Sequence, residues 1–155
     1  MRTIDAKPAA AGLRVAVVVS KYHDFITDRL QSGALAALTS LGVSSGDVTV
    51  IKVPGAFEIS LAAQQAAATK AFDAVVCLGC LIRGATAHFE YIASAVSHGI
   101  TAAAAATGVP ISFGVLTTNS VEEAIERAGE GPANKGWEAA AAAVEMAAVI
   151  AQLRQ

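Results

Sequence analysis

The sequence predicts an α/β fold in which a four-stranded parallel sheet lies between two layers of helices, forming a three-layer sandwich. Four short apolar runs alternate with stretches that repeat apolar residues at helical spacing. The runs are apolar on both faces, as parallel strands are when helices cover both sides. A chain of 155 residues without a linker or repeat suits one hydrophobic core, so we expect a single domain over residues 1–155.

The four predicted strands are almost wholly apolar, and turn-forming residues bound them. Pro54 and Gly55, for example, follow the second run and end it. Parallel neighbours need long crossover connections, and helical stretches separate all four runs. The predicted strands are Leu13–Ser20, Val48–Val53, Ala74–Leu81 and Pro110–Thr117.

The predicted helices carry start and stop signals. Gly42 closes the first helix, and Ser120 with Glu123 forms a capping box for a short fourth helix that ends near Gly129. Asn134 caps the last helix, which extends to about residue 153. The second and third helices span about residues 57–70 and 88–107, and the first is marked by the apolar stripe Ile26, Leu30, Ala34, Leu38 and Leu41.

The composition excludes several classes of protein. Eleven Lys and Arg against 13 Asp and Glu give a net charge of -2 without charged blocks, so we expect no nucleic-acid or anionic-membrane partner. Lys7, Pro8 and Arg14 interrupt any signal peptide, and no run approaches the roughly 18 apolar residues of a membrane span. We therefore expect a cytoplasmic protein whose partners are small molecules or other proteins.

Cys77 and Cys80 form the segment "CLGC", a spacing that also occurs in redox pairs and zinc sites. In a strand, residues three apart point to opposite faces, and no second Cys or His pair completes four zinc ligands. We therefore expect two buried, unreactive thiols and no metal site.

The carboxyl ends of the predicted strands carry the most informative residues. Ligands of open parallel sheets bind beyond these ends. Here the sequence places "SKYH", "VPGAFE", "LIRGATAH" and "LTTN". The functional site is therefore expected at this edge of the sheet.

Gly84, Ala85 and Thr86 open the third helix with small residues. Such a turn lets an anion, such as phosphate, approach N–H groups at the positive end of the helix, although an ordinary bend also uses glycine. His88 follows one turn later, and its imidazole can transfer protons near neutral pH beside a bound anion. An unremarkable surface histidine is the alternative interpretation of His88.

Four further residues have both a functional and a structural interpretation. Glu58 either accepts hydrogen bonds from ligand hydroxyls or caps a helix. Tyr22 either stacks on a planar heterocycle or packs in the core. Arg127 and Lys135 flank the loop "AGEGPAN", where an Arg either grips a phosphate with two hydrogen bonds or remains a solvated charge.

Seven segments coincide in order and spacing with one enzyme family: "DFIT", "SGA", "VPGAFEI", "GCLIRGATAHFEYI", "TGVPISFGVLTT", "EEAIERAG" and "NKG". The chain resembles the 6,7-dimethyl-8-ribityllumazine synthases of riboflavin biosynthesis over nearly its whole length. The resemblance implies a flavodoxin-like fold and a transferase without metal or organic cofactor. Such an enzyme joins 5-amino-6-(D-ribitylamino)uracil to 3,4-dihydroxy-2-butanone 4-phosphate and releases phosphate and water.

The resemblance also implies roles for individual residues. Tyr22 stacks on the pyrimidine, Glu58 accepts hydrogen bonds from the ribityl hydroxyls, and His88 transfers protons. Arg127 of a neighbouring subunit clamps the phosphate. Further implied contacts are Ala56 and Phe57 for the ribityl chain, backbone groups of Cys80, Leu81 and Ile82 for the uracil, Gly84, Ala85 and Thr86 for the phosphate, Phe113 from the same neighbour, and Lys135 at the ligand site.

A homo-oligomer follows from the resemblance, because a site that uses Phe113 and Arg127 of the adjacent chain needs at least a pentamer. The N-terminal arm, residues 1–12, is expected to pair with a neighbour's sheet edge. The segment "AGEGPANKG" has the short length that is typical of shell-forming members of the family, so the resemblance also favours a hollow shell of twelve pentamers, a 60-mer. Riboflavin synthase is a further candidate partner.

Two other functions stay open. An archaeal-type riboflavin synthase shares the architecture, but it dismutates two lumazines and needs no dedicated phosphate turn with Arg127. A non-catalytic, flavin-binding shell protein would be indicated by the absence of His88 or Arg127, and both are present. The chain departs from the family's usual residues at Tyr22, His23, Ser60 and Ala87. None of these departures removes a proton carrier or a charge, so we expect them to affect affinity more than reaction type.

Overall fold

The computed structural model describes residues 1–7 and 10–155, and these have the predicted α/β architecture. Its strands are β1 (Val15–Ser20), β2 (Val48–Val53), β3 (Ala74–Ile82) and β4 (Ile111–Thr118). They form one parallel sheet in the order β2–β1–β3–β4. All four predicted strands are confirmed, each within two residues at either end.

In the described residues, five α-helices accompany the sheet, as predicted. The second helix is shorter than the predicted residues 57–70. A one-turn 3-10 helix at Ala56–Glu58 precedes it, and the left-handed backbone of Lys70, with a φ of 62°, follows its end. In the part of the chain that the structure describes, no helix is long and apolar enough to cross a membrane. The helices are α1 (Asp24–Ser40), α2 (Ile59–Ala68), α3 (His88–Thr107), α4 (Val121–Arg127) and α5 (Lys135–Leu153).

The helices cover both faces of the sheet and complete the three-layer sandwich. Buried residues of α1 and α5 pack on one face with Val15, Val17 and Val19 of β1. Those of α2 and α3 pack on the other face with Ala16 and Val18. Successive strand residues point to opposite faces, so a strand covered on both sides is apolar at nearly every position.

Cys77 and Cys80 lie on opposite faces of β3, as predicted. Cys77 packs with the α2 and α3 layer, and Cys80 with the α1 and α5 layer. Burial raises the pKa of the Cys77 thiol to about 12 and that of Cys80 to about 11. Both thiols therefore stay protonated at neutral pH, as expected for unreactive cysteines.

The strand order places a crevice at the carboxyl edge of the sheet. From β1 the chain crosses outward to β2, then returns past β1 to β3 and continues to β4. The connections that follow the two central strands therefore leave in opposite directions. This divergence opens space for a ligand between the ends of β1 and β3.

Asn134 joins the start of α5 to α1. Asn134 is only 2% exposed. Its Oδ1 accepts hydrogen bonds from the N–H groups of Gly136 and Trp137 at 2.7 and 3.2 Å. Its Nδ2 donates to the carbonyl oxygens of Arg29 at 3.2 Å and Gly129 at 2.7 Å. The predicted cap of α5 is thus confirmed, and it also bridges two other segments.

We expect Asn134→Ala to lower the free energy of unfolding by about 2–4 kcal/mol, because it removes a helix cap and two further hydrogen bonds of a buried amide. Ser120→Ala is a matched control, since Ser120 caps α4 by accepting one hydrogen bond, from Glu123 N–H at 3.2 Å. Its loss should cost about 1 kcal/mol. Urea unfolding at equal protein concentration measures both variants, and equal losses would contradict the bridging role of Asn134.

Candidate active site

A cleft of about 710 Å³ lies at the carboxyl edge of the sheet, where the topology opens the crevice. Segments that follow all four strands contribute to its lining. Ala85, also predicted for the site, is exposed within the turn that borders the cleft. The predicted site residues that line the cleft are Tyr22, Ala56, Phe57, Glu58, Leu81, Ile82, Gly84, Thr86 and His88.

The turn between β3 and α3, residues 84–87, presents backbone groups to the cleft. These residues are exposed, and no side chain caps the first turn of α3. The first N–H groups of a helix have no partner within the helix, and the helix dipole makes that end positive. Open space surrounds Gly84, where an added Cβ would meet nothing within 4 Å. This anion turn therefore suits a phosphate group.

His88 is the first residue of α3 and is exposed at the cleft. Side chains in a helix point back toward its N-terminus. The imidazole therefore lies beside the anion turn, where it can exchange protons with a ligand held there.

Tyr22, His23 and Phe57 form an aromatic border of the cleft. Tyr22 is 68% exposed and Phe57 60%, so neither packs in the core of this chain. The rings of Tyr22 and His23 lie 4.4 Å apart, centre to centre, with 56° between their planes. Exposed rings at the mouth of a cleft suit stacking on a planar heterocycle.

Glu58 ends the 3-10 turn and directly precedes α2. Its side chain makes no capping hydrogen bond to α2, so the structural interpretation of Glu58 as a helix cap is not supported. The carboxylate is exposed at the cleft and is available to accept hydrogen bonds from ligand hydroxyls.

His23 lines the cleft although the sequence did not assign it to the site. It has a φ of 60° where the chain turns from β1 into α1. Partial burial lowers the pKa of His23 below its ordinary value of 6.5, so the imidazole is mostly neutral at pH 7. The sequence signal that could have assigned His23 to the site was its position in "SKYH", at the carboxyl end of the first predicted strand. Other lining residues that the sequence did not single out are Gly55, Phe89, Ile92 and Val121.

Besides Ala85, four predicted site residues do not line the cleft. The side chain of Cys80 is buried under α1 and α5, so any contact with a ligand runs through its backbone. Phe113, Arg127 and Lys135 line a separate groove of about 380 Å³ along β4 and α5. The cleft and this groove have no lining residue in common, so one chain presents two separate parts of the predicted site.

Two solvent-exposed cationic side chains, those of Arg127 and Lys135, line the groove. Arg127 donates through Nη1 to the Glu123 carbonyl oxygen at 3.0 Å, which orients its guanidinium. Lys135 pairs through Nζ with Glu138 Oε2 at 2.9 Å. Phe113 is 47% exposed beside them. A flat apolar ring with cations nearby suits contact with a heterocyclic, phosphorylated ligand.

The groups at the cleft define the chemistry that it can perform. The His88 imidazole, a group able to transfer protons, lies next to the uncapped start of α3, and the Glu58 carboxylate lines the same cleft. Among residues 1–7 and 10–155, no group of three or more His, Cys, Asp or Glu side chains is arranged to hold a metal ion. The arrangement suits a reaction that moves protons and releases an anion.

Comparisons with known proteins agree with this geometry. The family model described as 6,7-dimethyl-8-ribityllumazine synthase matches residues 12–151. A protein of Syntrophus aciditrophicus (strain SB) named 6,7-dimethyl-8-ribityllumazine synthase is 52% identical over 144 residues, which cover 93% of this chain and 94% of that protein. The resemblance that the motifs carry is thereby confirmed. The chain belongs to the 6,7-dimethyl-8-ribityllumazine synthase family.

Proposed function

We propose that this chain joins 5-amino-6-(D-ribitylamino)uracil to 3,4-dihydroxy-2-butanone 4-phosphate and releases 6,7-dimethyl-8-ribityllumazine. Its family makes it a transferase-type enzyme of riboflavin biosynthesis. The observation that carries the proposal is the cleft in which the uncapped start of α3 and His88 adjoin an aromatic border. An archaeal-type riboflavin synthase and a non-catalytic flavin-binding shell protein are not favoured, because neither function needs this anion turn.

The pyrimidine binds between the aromatic border and the end of β3. Tyr22 stacks on its ring, which the exposure of Tyr22 at the cleft supports. The ribityl chain extends toward Glu58, whose carboxylate accepts hydrogen bonds from the hydroxyls. Further contacts come from Ala56 and Phe57 to the ribityl chain and from Leu81, Ile82 and the backbone of Cys80 to the uracil.

The phosphate of the four-carbon substrate binds at the anion turn, through Gly84, Ala85 and Thr86. Arg127 of a neighbouring subunit adds its planar guanidinium, and Phe113 and Lys135 approach from the same neighbour. Their grouping in one groove, apart from the cleft of their own chain, supports this arrangement.

The reaction moves protons and releases phosphate without electron transfer. The 5-amino group attacks the ketone to form a carbinolamine, which loses water to give an imine. Proton transfer then drives elimination of phosphate. The ribitylamino nitrogen attacks the remaining carbonyl group to close the ring, and this step releases a second water. His88 takes and returns the protons, while the anion turn and Arg127 stabilise the departing phosphate. Orientation of the two substrates supplies a large share of the rate enhancement.

A site divided between two chains makes the pentamer the minimal active form. In the ring, the groove of each chain faces the cleft of the next. The exposure of Phe57 and Phe113, one on each surface, supports an interface there, because large apolar side chains exposed together mark contact surfaces.

The N-terminal arm, residues 1–12, pairs with the outer edge of a neighbouring sheet. The edge strand β2 supports this proposal, since its outer side pairs with no strand among residues 1–7 and 10–155 and Val50 is 37% exposed. Residues 1–7 form no helix or strand within the chain, and Pro8 and Ala9 lie outside the described residues. The arm and the sandwich together form the single domain over residues 1–155.

We expect the purified protein to assemble as a shell of sixty subunits. The loop between α4 and α5 has the short length that is typical of shell-forming members of the family. Light scattering or native mass measurement should then give about 0.9 MDa, sixty times the chain mass of 15.6 kDa. A particle near five chain masses would leave the pentamer as the final form. A fully active monomer would contradict both assemblies and the divided site.

The proposed function is tested by mixing the purified protein with both substrates and following the absorbance and fluorescence of the lumazine. Product formation that requires both substrates supports the proposal. Conversion of lumazine alone into riboflavin would indicate an archaeal-type riboflavin synthase. Flavin binding without turnover would indicate the non-catalytic shell protein.

Two further proposals concern the surroundings of the enzyme. We place it in the cytoplasm, and cell fractionation tests this location. Riboflavin synthase is a candidate partner, because it consumes the lumazine that this reaction releases, and co-purification tests the association.

A further inference from the structure

Arg83 joins three elements around the anion turn. It directly follows β3, and its backbone N–H donates to the Thr118 carbonyl oxygen at 2.8 Å. Its guanidinium forms an ion pair with Glu90 in the first turn of α3 and donates through Nε to Asn119 Oδ1 at 2.9 Å. The guanidinium carbon also lies 4.6 Å from the centre of the Phe89 ring, within range of a cation–π interaction.

The loop that carries Asn119 is itself held in place. Asn119 N–H donates to Glu123 Oε2 at 2.8 Å, and Ser120 Oγ accepts from Glu123 N–H at 3.2 Å. The Thr118 hydroxyl, in a residue that is 2% exposed, donates to the Ser120 carbonyl oxygen at 3.1 Å. Arg83 is therefore anchored to a loop whose geometry the start of α4 determines.

The anion turn, residues 84–87, lies between the two ends of this network. Arg83 precedes the turn and Phe89 and Glu90 follow it, so the Arg83 side chain closes a short loop around it. The turn is exposed and no side chain caps the helix that it opens. The contacts of Arg83 therefore restrict how far the N–H groups of the turn can move.

Arg83 does not itself line the cleft. The Phe89 ring lines the cleft and, together with Arg83 and Asn119, also lines an outer groove of about 510 Å³. The guanidinium is already engaged by Glu90 and Asn119, and the Glu90 carboxylate offsets its positive charge. These contacts favour a role through the turn over direct binding of the substrate.

We propose that Arg83 is a positioning residue that holds the anion turn ready for the phosphate of the four-carbon substrate. This inference rests on the function proposed above and adds a residue to that site. The two side chains of the ion pair are 46% and 51% exposed, so the pair adds little to global stability. Its effect is local, because preorganised N–H groups need no rearrangement as charge develops on the departing phosphate.

Steady-state kinetics with both substrates test the proposal. Arg83→Met should raise KM for the butanone phosphate about tenfold and leave KM for the pyrimidine within about twofold. Arg83→Lys should recover part of the loss, since it keeps a charge for Glu90 without the planar fork. Arg14→Met is the matched control, because Arg14 forms a similarly exposed ion pair with Asp73 at 3.4 Å, away from the cleft. It should change neither KM.

Glu90→Gln separates positioning from direct binding. If Arg83 positions the turn, this variant weakens use of the phosphorylated substrate, because the guanidinium loses its anchor on α3. If Arg83 binds the phosphate directly, the variant improves that use, because a carboxylate near the phosphate is removed. Improved use, or equal losses for both substrates in Arg83→Met, would overturn the proposal.

Millisecond hydrogen exchange without substrate distinguishes failure of this inference from failure of the proposed function. Amides of residues 84–90 should exchange faster in Arg83→Met than in the wild type and in Arg14→Met. That result supports the positioning role even if the wild type does not turn over the two substrates. Unchanged exchange in this segment would overturn the role whatever the substrates are.

Discussion

His88→Ala is expected to fold and assemble like the wild-type enzyme and to turn over about 10- to 1000-fold more slowly. The residue is exposed at the start of α3, so its truncation leaves no cavity in the core. The variant lacks the imidazole that we propose takes and returns the protons of the reaction. A slow reaction should persist, because the cleft still orients the two substrates.

His98→Ala is the control for this prediction. His98 is exposed on the same helix, with Nδ1 3.3 Å from Ser94 Oγ, and does not line the cleft. Turnover at saturating substrate is compared for both variants, and circular dichroism and particle mass confirm that each folds and assembles. A rate for His88→Ala equal to that of His98→Ala would remove His88 from the mechanism.

Arg127→Ala is expected to raise KM for the butanone phosphate by about 10- to 100-fold, because a guanidinium donates two parallel charge-assisted hydrogen bonds to a phosphate. The pyrimidine should bind nearly as before. Arg127→Lys should restore only part of the loss, since a point charge does not replace a planar fork. Calorimetry with each substrate separates the two affinities, and equal losses for both would indicate a structural role for Arg127.

Co-assembly of the two variants tests whether the site is divided between chains. If the site is divided as proposed, a mixed ring contains clefts in which an intact His88 meets an intact Arg127 of the next chain, whereas neither variant alone forms a complete site. Reassembly of mixed His88→Ala and Arg127→Ala chains should therefore restore a fraction of the wild-type turnover. No recovery above the separate variants would argue that both residues act within one chain.

Much of the fold could be predicted from the sequence, because its signals are local. The run "VAVVVS" of β1 is buried at every residue. Such an almost uninterrupted apolar run is typical of a strand that helices cover on both faces. Gly42 and Asn134 mark a helix end and a helix start through contacts within a few residues. The start of α3 at His88 was likewise predicted, so the place of this histidine beside residues 84–87 followed from the sequence.

The division of the site residues depends on the sheet order. β4 is an edge strand, and α4 and α5 follow it, so Phe113, Arg127 and Lys135 lie apart from the cleft. The family resemblance implied that Phe113 and Arg127 serve a neighbouring site. The separate groove supports that hypothesis, but composition and periodicity alone do not reveal it, since neither specifies which strands are neighbours.

The sequence by itself determined the strands, the helix caps, the thiols on opposite faces and the small residues before His88. Only the tertiary structure decided the place of His23 in the cleft, the contact of Arg83 with Asn119 and the bridge from Asn134 to Arg29. The last two contacts join residues 36 and 105 positions apart in the chain. Periodicity, caps and turns depend on residues a few positions apart, so they can be predicted from the local sequence. Contacts between distant segments exist only after the helices have packed on the sheet, because packing alone brings those segments within hydrogen-bond distance.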